Sequence, residues 1–555
     1  MTGASFNVSP SRSDGRGISW ALAILAGLLF TTPAVAAAGP VVHSPAGAVR
    51  GVSTDGVDSF KNLPFAGPPT GQNRWKPPTP APTWSGVRDA IEFGPACIQP
   101  PSMPGSIYSE DLKAFSEDCL SLNIWKPAEA AKAPVMVWIH GGSLVSGGAR
   151  SGLYDGAALA RRGVMVVSIN YRLGVLGYLA HPDLSAESPD GVSGNYGLLD
   201  QIAALEWVQR NIAAFGGDPA NVTIAGESAG GLSVMYLMAA PRARGLFHRA
   251  ILQSAYMIST PSLKEARFGE TPAEVTGETM ASRIGARGLV RLRAMDATDL
   301  TWKAVLAGYP PFGVIDGKVL PKQLVDVFDA GEQAPVPVLV GFNSGEIRTL
   351  RFLAPKPPAS PEAYETAIRQ LYGPHADAFL RLYPSSDMQE SILAYVRDSI
   401  YGWTAERLAA KQTAAGQPAF LYLFDHGYPA ADSAGLHAFH AAEIPYVFGL
   451  SDRFPPAWPR MPASAEEAAF GDSLAGHWAS FIRSGDPGGG WNPYGTDRGY
   501  MAYEAVARPS TGLMPGMYAL HEDVILRRRA VGTIPWNWNH GILAPPLPLR
   551  PSERQ

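Results

Sequence analysis

This 555-residue sequence contains few cysteines, and its net charge is small. Only two cysteines are present, and 45 Lys and Arg residues face 49 Asp and Glu residues, which gives a net charge of −4 with neutral histidines. There is no basic stripe and no acidic tail, so nucleic acid is not an expected partner. Internal repeats of about 20 to 50 residues are absent too, which excludes a repeat array.

The composition excludes a disordered chain and favours a large globular core. Hydrophobic residues make up 46% of the sequence and charged residues only 17%, so there is enough apolar surface to bury. No mid-chain run rich in Ser, Gly or charge marks a linker between domains. We therefore expect residues 39–555 to form a single enlarged domain.

One apolar run near the N-terminus is set apart by its flanking residues. Residues 18–30 are apolar, Arg12 and Arg16 precede them, and small residues follow at 34–38. This order is typical of a secretory signal peptide, which we predict at residues 1–38. The alternative is a membrane anchor, but a spanning helix needs about 20 apolar residues. The expected mature protein is soluble, either periplasmic or secreted, and has no membrane partner.

The two cysteines, Cys97 and Cys119, are predicted to form a disulfide. An exported protein meets oxidising conditions, and an even number of cysteines close in sequence favours pairing. Two free buried thiols are the alternative. A bridge here would stabilise the fold by about 3 kcal/mol on the chain-entropy model, and it would brace a Pro-rich loop.

Short apolar runs alternate with helical patterns along the chain. The runs at 135–139 and 164–169 are bounded by turn residues and resemble strands that are buried on both faces. Residues 198–215 carry apolar side chains at helical spacing. Three further strand candidates are 222–225, 338–340 and 419–424. This alternation predicts an α/β fold, with a mostly parallel central sheet and covering helices on its faces.

Two regions, 260–310 and 350–415, have more charge, a helical pattern and a weaker strand signal. We expect them to be helical additions that pack over the edge of the sheet. In open parallel sheets the chemistry collects at the carboxyl ends of the strands. Helical additions near that edge would shape substrate specificity.

A G-x-S-x-G motif spans Gly226 to Gly230, with Ser228 at its centre. A chain with 59 glycines produces this pattern easily by chance, so its context matters. A strand candidate precedes it and a helix candidate, 231–240, follows it, which is the setting of a nucleophile elbow. The glycines permit the sharp turn, and the helix N-terminus points at the reacting centre. A Gly-rich turn without activity is the alternative.

The stretch from His140 to Ser143, His-Gly-Gly-Ser, directly follows the strand candidate at 135–139. Backbone N–H groups of Gly142 and Ser143, together with that of Ala229, are predicted to form an oxyanion hole. Each such donor is worth a factor of about 100 to 1,000 in rate. The alternative is a flexible Gly-Gly turn.

A serine hydroxyl is a poor nucleophile near neutral pH, so a carboxylate and a histidine base are expected after Ser228 in chain order. Glu346 lies just past the strand candidate at 338–340, where a strand-end carboxylate belongs. Seven histidines follow it, namely His375, His426, His437, His440, His477, His521 and His540. The residues alone do not choose among them.

Almost the whole mature chain resembles the type B carboxylesterases, the family of cholinesterases, bacterial para-nitrobenzyl esterases and some fungal lipases. The resemblance lies in the stretches 116–125, 170–174, 194–201 and 215–219. It implies the α/β-hydrolase fold, Glu346 as the acid through the N-x-x-E pattern at Asn343, and His440 as the base within 438–448. It also implies the Cys97–Cys119 disulfide.

The sequence departs from this family at the oxyanion loop and in the disulfide loop. The family usually has Gly-Phe where this chain has Ser143 and Leu144, and the Cβ of Ser143 would strain a loop built for glycine. The loop from Cys97 to Cys119 contains no Trp to stack on a quaternary ammonium group, which argues against choline esters. Glu227 either tunes the pocket or satisfies buried neighbours.

The sequence therefore predicts a serine carboxylesterase that acts on small-molecule esters through an acyl-enzyme intermediate, without a cofactor. His437, His440 and Glu443 have spacing that could suit a metal, but Pro445 argues against a long helix there, so no metal is expected. A non-catalytic adhesion or scaffold protein on the same fold, and an amidase or acyltransferase with the same triad, are the alternatives. The ester and the oligomeric state are not readable from the sequence.

Overall fold

A computed structural model of the chain describes residues 39–103, 105–450, 453–536, 540–550 and 553. The signal peptide predicted at 1–38 lies outside these residues and stays a prediction. From Gly39 onward, the chain clusters into one unit.

The strands are short and mostly apolar. In chain order, the described residues form β1 (Val41–Ser44), β2 (Gly47–Arg50), β3 (Val52–Thr54), β4 (Val57–Pro64), β5 (Val87–Asp89), β6 (Ala96–Cys97), β7 (Phe115–Ser116), β8 (Ser121–Pro127), β9 (Ala133–Ile139), β10 (Met165–Ile169), β11 (Gly217–Glu227), β12 (Arg249–Gln253), β13 (Val338–Asn343), β14 (Ala419–Phe424), β15 (Gly499–Tyr503) and β16 (Ala507–Thr511).

Eleven of these strands form one sheet, in the order β16-β15-β14-β13-β12-β11-β9-β10-β8-β4-β3. Neighbours from β15 to β10 are parallel, whereas β8, β4 and β3 at one edge and β16 at the other are antiparallel. All five strand candidates of the sequence lie in this sheet, as β9, β10, β11, β13 and β14. The mostly parallel sheet is thus confirmed.

Helices connect the strands and cover the sheet. They are α1 (Ala157–Arg161), α2 (Gly174–Tyr178), α3 (Pro182–Glu187), α4 (Tyr196–Asn211), α5 (Ala229–Ala239), α6 (Ala273–Arg283), α7 (Leu289–Ala294), α8 (Ala297–Leu306), α9 (Leu324–Asp329), α10 (Glu346–Thr349), α11 (Pro361–Tyr372), α12 (Ala376–Leu382), α13 (Met388–Arg397), α14 (Trp403–Ala414), α15 (Pro429–Ser433), α16 (Ile444–Val447), α17 (Ala465–Ser484) and α18 (Met517–Val531). The helical additions predicted at 260–310 and 350–415 correspond to α6–α8 and α11–α14. Among the described helices, none combines the length and apolar character that crossing a bilayer requires.

The side chains of β9 show why both faces of the sheet must be covered. Val135, Val137 and Ile139 belong to one core cluster, which also includes side chains of α4 and α5. Met136 and Trp138 belong to a second cluster with α17. Successive strand residues point to opposite faces, and all five side chains are buried, so helices pack on both sides.

Candidate active site

Ser228 lies at the sharp turn between β11 and α5. Its backbone has φ 57° and ψ −122°, a region that L-residues rarely adopt and that costs about 1–3 kcal/mol. Two glycines make the turn possible, because a Cβ on Gly230 would lie 2.0 Å from the carbonyl oxygen of Ile139, and one on Gly226 would lie 2.5 Å from the Gly230 carbonyl carbon. The strand, turn and helix predicted around the motif are therefore present.

The loop after β9 passes directly against this turn. A Cβ on Gly141 would lie 2.8 Å from the carbonyl oxygen of Glu227 and 3.2 Å from Cβ of Ser228. Gly142, Ser143 and Leu144 all have positive φ, at 101°, 57° and 60°. Ser143 thus occupies a left-handed position that favours glycine, as the sequence predicted, and Leu144 does as well. The three predicted oxyanion donors, Gly142, Ser143 and Ala229, lie on the two segments that meet here.

Glu346 begins α10 just after β13 and is fully buried. Its Oε2 atom is hydrogen bonded to Nδ1 of His440. The backbone N–H of Asn343 donates to its Oε1 atom at 2.8 Å, which fixes the carboxylate. The Asn343 side chain donates to the carbonyl oxygen of Phe439 at 2.8 Å. Asn343 therefore fixes both the carboxylate of Glu346 and the backbone of Phe439, the residue before His440.

The other ring nitrogen of His440 faces Glu227, the residue before Ser228. Its Nε2 atom lies 3.0 Å from Oε1 of Glu227. That oxygen has no hydrogen-bond partner among the described residues, and the contact is an ion pair when the imidazole is protonated and the carboxyl is ionised. In the same part of the chain the Ser228 hydroxyl makes no hydrogen bond to the imidazole. The fold brings Glu346 and His440 together, and His440 also contacts Glu227, the residue next to Ser228 in the sequence.

Buried charge sets the electrostatics of the site. Burial lowers the pKa of His440, but the carboxylates of Glu227 and Glu346 outweigh it and hold that pKa well above the usual value. For the carboxyl group of Glu227, burial has the opposite effect and raises the pKa. The imidazolium form of His440 is therefore stabilised.

Sequence reasoning missed a further carboxylate beneath the site. Glu443 is fully buried and accepts hydrogen bonds from the side chains of Gln253, at 2.8 Å, and Asn343, at 2.6 Å. Burial raises the pKa of Glu443. In the sequence, its spacing from His440 suits only a metal pattern, and no other signal marks it.

Comparisons with known proteins identify the family of the chain. A family model described as "Carboxylesterase family" matches residues 38–513. The fumonisin B1 esterase of Sphingopyxis macrogoltabida is 39% identical over 80% of this chain and 82% of its own length. The para-nitrobenzyl esterase of Bacillus subtilis (strain 168) is 36% identical over 80% of this chain and 90% of its own.

A solved structure shows the same architecture. The Geobacillus stearothermophilus carboxylesterase EST55 at pH 6.2 superposes with a TM-score of 0.75 and 33% identity, over 86% of this chain and 99% of that one. A PNB esterase structure gives a TM-score of 0.73 at 32% identity, with the same coverage of each chain.

Proposed function

The chain belongs to the carboxylesterase family and hydrolyses carboxylic esters, and we propose that Ser228, His440 and Glu346 are its catalytic residues. In acylation, the Ser228 hydroxyl attacks the ester carbonyl carbon while His440 takes its proton. The imidazolium then gives that proton to the leaving alcohol. Water attacks the acyl-enzyme in the same way and releases the acid and the free serine.

We propose the backbone N–H groups of Gly142, Ser143 and Ala229 as the oxyanion hole. Support comes from the close approach of the loop after β9 to the turn at Ser228, and from the exposure of Gly142 and Ser143 to the solvent side. Ala229 begins α5, so its N–H lies at the positive end of a helix. These N–H groups would donate hydrogen bonds to the negatively charged oxygen of the tetrahedral intermediate.

The single observation that carries the proposal is the hydrogen bond between Nδ1 of His440 and Glu346, with the other nitrogen turned toward the segment of Ser228. A base held on one side by a buried carboxylate has a fixed tautomer and a stabilised imidazolium. Seven histidines follow Glu346 in the sequence, and His440 is the one placed on this carboxylate.

Replacement of the nucleophile tests the assignment. We expect Ser228→Ala to lower kcat on a para-nitrophenyl ester by about 10⁴-fold or more and to abolish covalent labelling by an organophosphate. Ser233→Ala is the matched control, because Ser233 lies on α5, the helix that follows Ser228, and its hydroxyl accepts a hydrogen bond from Gln201. Near wild-type turnover in Ser228→Ala, or labelling that persists there, would refute the proposal.

The ester itself is best approached through the relatives. Two of them are named for fumonisin B1 and para-nitrobenzyl esters, so these are the first small-molecule substrates to test. A panel that varies the acyl and alcohol sides separately would locate the preference. Amide substrates and added alcohol acceptors would distinguish an esterase from an amidase or acyltransferase with the same residues.

We also propose export, with residues 1–38 removed. The flanked apolar run near the N-terminus supports this, as does the Cys97–Cys119 disulfide in the structure, because disulfides persist in oxidising compartments. N-terminal sequencing of the protein from the periplasm or medium should begin near residue 39. Recovery of active protein that still begins at Met1 would contradict the proposal.

A further inference from the structure

One tyrosine of the disulfide loop contacts the backbone of the proposed base. The Tyr108 hydroxyl donates to the carbonyl oxygen of His440 at 2.7 Å, across 332 positions of sequence. It also lies 2.8 Å from the hydroxyl of Thr349, the last residue of α10. A carbonyl can only accept, so the phenol proton goes to His440 and Thr349 donates to the phenol oxygen.

The carbonyl groups around His440 are held from two directions. The N–H of Gly345 donates to the carbonyl oxygen of Ala438 at 2.8 Å, and the Asn343 side chain donates to that of Phe439. Both donors belong to the segment that carries Glu346. The third carbonyl, that of His440 itself, takes its hydrogen bond from Tyr108 in the Cys97–Cys119 loop.

Aromatic packing holds the same loop against the base. The ring centroid of Tyr108 lies 6.5 Å from that of His440, with an interplanar angle of 82°, and 6.0 Å from that of Trp458. Trp458 in turn packs edge-on against Phe439 at 4.9 Å. Burial raises the pKa of the Tyr108 hydroxyl well above its usual value, so the phenol remains a hydrogen-bond donor at working pH.

The backbone of residues 440–443 forms a turn and not a regular helix or strand. Ala441 has φ 71°, a left-handed conformation that costs about 1–2 kcal/mol for a residue with a Cβ. Within this turn the N–H of Ala442 donates to the carbonyl oxygen of Phe439 at 3.0 Å, whereas among the described residues the carbonyl oxygen of His440 accepts from Tyr108 and from no backbone N–H. Without Tyr108, the carbonyl of His440 would lose the donor that fixes it.

We propose that Tyr108 is a positioning residue that fixes His440, and that the Cys97–Cys119 disulfide acts on turnover through this phenol. The inference rests on the proposed role of His440 as the base. A displacement of a catalytic group by about 1 Å can lower the rate on the order of a hundredfold. A base whose backbone can shift would keep substrate affinity but lose turnover.

Tyr108→Phe tests this, because it removes the hydroxyl and keeps the ring. We expect kcat to fall by about tenfold, the worth of one well-placed hydrogen bond, while KM stays within about twofold. Tyr309→Phe is the matched control. Its hydroxyl donates to the carbonyl of Tyr178 at 2.8 Å, so it removes a phenol–carbonyl bond of similar length elsewhere, and kcat should not change.

A thermodynamic cycle tests the role of the disulfide. The double variant Cys97→Ser with Cys119→Ser should lower kcat, and adding Tyr108→Phe should lower it little further, since both changes act through one contact. Independent, multiplicative losses would overturn the disulfide part. If the cysteine variant does not fold, mild reduction of the wild-type protein and of Tyr108→Phe provides the same comparison.

The outcomes separate this inference from the proposed function. Wild-type kcat in Tyr108→Phe, or a loss that only follows the folded fraction measured by thermal unfolding, would overturn the inference. In that case Ser228→Ala would still be inactive and the proposed function would stand. If Ser228→Ala retained turnover, the proposed function itself would fail.

Discussion

The Nε2 atom of His440 lies 3.0 Å from Oε1 of Glu227, the residue immediately before Ser228. The carboxylate of Glu346 is hydrogen bonded to the other ring nitrogen, Nδ1, so the imidazole lies between two buried carboxylates. Two negative charges favour the imidazolium form, which stabilises the intermediate state of the reaction. They also reduce the fraction of neutral imidazole at low pH, and under the proposed mechanism only the neutral form accepts the Ser228 proton.

The first prediction concerns Glu227→Gln. Loss of this charge should lower the pKa of His440, because an opposite charge nearby favours the protonated ring. Since the base must be neutral to act, the acidic limb of kcat/KM should move to lower pH, by about one unit. A pH profile of kcat/KM measures the shift directly.

The control for this profile is a remote carboxylate–histidine pair. Glu467 lies 3.1 Å from Nε2 of His426, so Glu467→Gln removes a similar charge next to another imidazole. We expect that variant to leave the acidic limb in place. An acidic limb that stays fixed or rises in Glu227→Gln would show that Glu227 does not set the protonation of the base.

Much of the sheet could be predicted because its strands are continuous apolar runs. The candidate at 419–424 has the bounds of β14, whereas β12 (Arg249–Gln253) was missed. That strand has only three apolar residues between polar ends, a signal too short to distinguish from a loop. Trp536 is fully buried although it lies in an irregular segment, and such segments have no period that reveals what they pack against.

The candidate site was only partly predictable, for a different reason. Ser228 stands in a local motif whose strand and helix can be read from neighbouring residues. Among the seven histidines after Glu346, only the family resemblance indicates His440, and the sequence carries no signal for the contacts that Glu227 and Tyr108 make with it. These contacts join residues 213 and 332 positions apart, and only the folded topology brings them together.

A second prediction concerns the strained loop after β9, which carries two of the proposed oxyanion donors. Ser143 has φ 57°, a conformation that glycine adopts without the Cβ penalty. Relief of that strain exceeds the entropy that glycine adds to the unfolded chain. We expect Ser143→Gly to raise the free energy of unfolding by about 0.5–1 kcal/mol, measured by urea denaturation.

Lys132 offers a comparison outside the site. It is exposed and has φ 57°, so Lys132→Gly should give a gain of similar size. A Ser143→Gly protein that is less stable than wild type would mean that the serine side chain makes a stabilising contact that outweighs its backbone strain.

The last prediction concerns His437, whose ring lies between two aspartates. Its Nε2 atom is 3.0 Å from Asp425 and its Nδ1 atom 2.8 Å from Asp432. These carboxylates, Asp425 first, raise the pKa of His437 to about 8. A folded-state pKa above the unfolded value of about 6.5 means that the ion pairs stabilise the protein fully below that value, and that this contribution is lost as pH rises through about 8.

His437→Gln should therefore reduce the free energy of unfolding more at pH 6 than at pH 9. The side chain is 40% exposed, so solvent screening limits the difference to about 1 kcal/mol or less. His477→Gln gives the opposite sign, because burial lowers the pKa of His477 and its neutral form is favoured as pH rises. Urea denaturation of both variants at the two pH values measures these differences. Equal losses of the free energy of unfolding for His437→Gln at pH 6 and pH 9 would show that the charged form of His437 does not stabilise the fold.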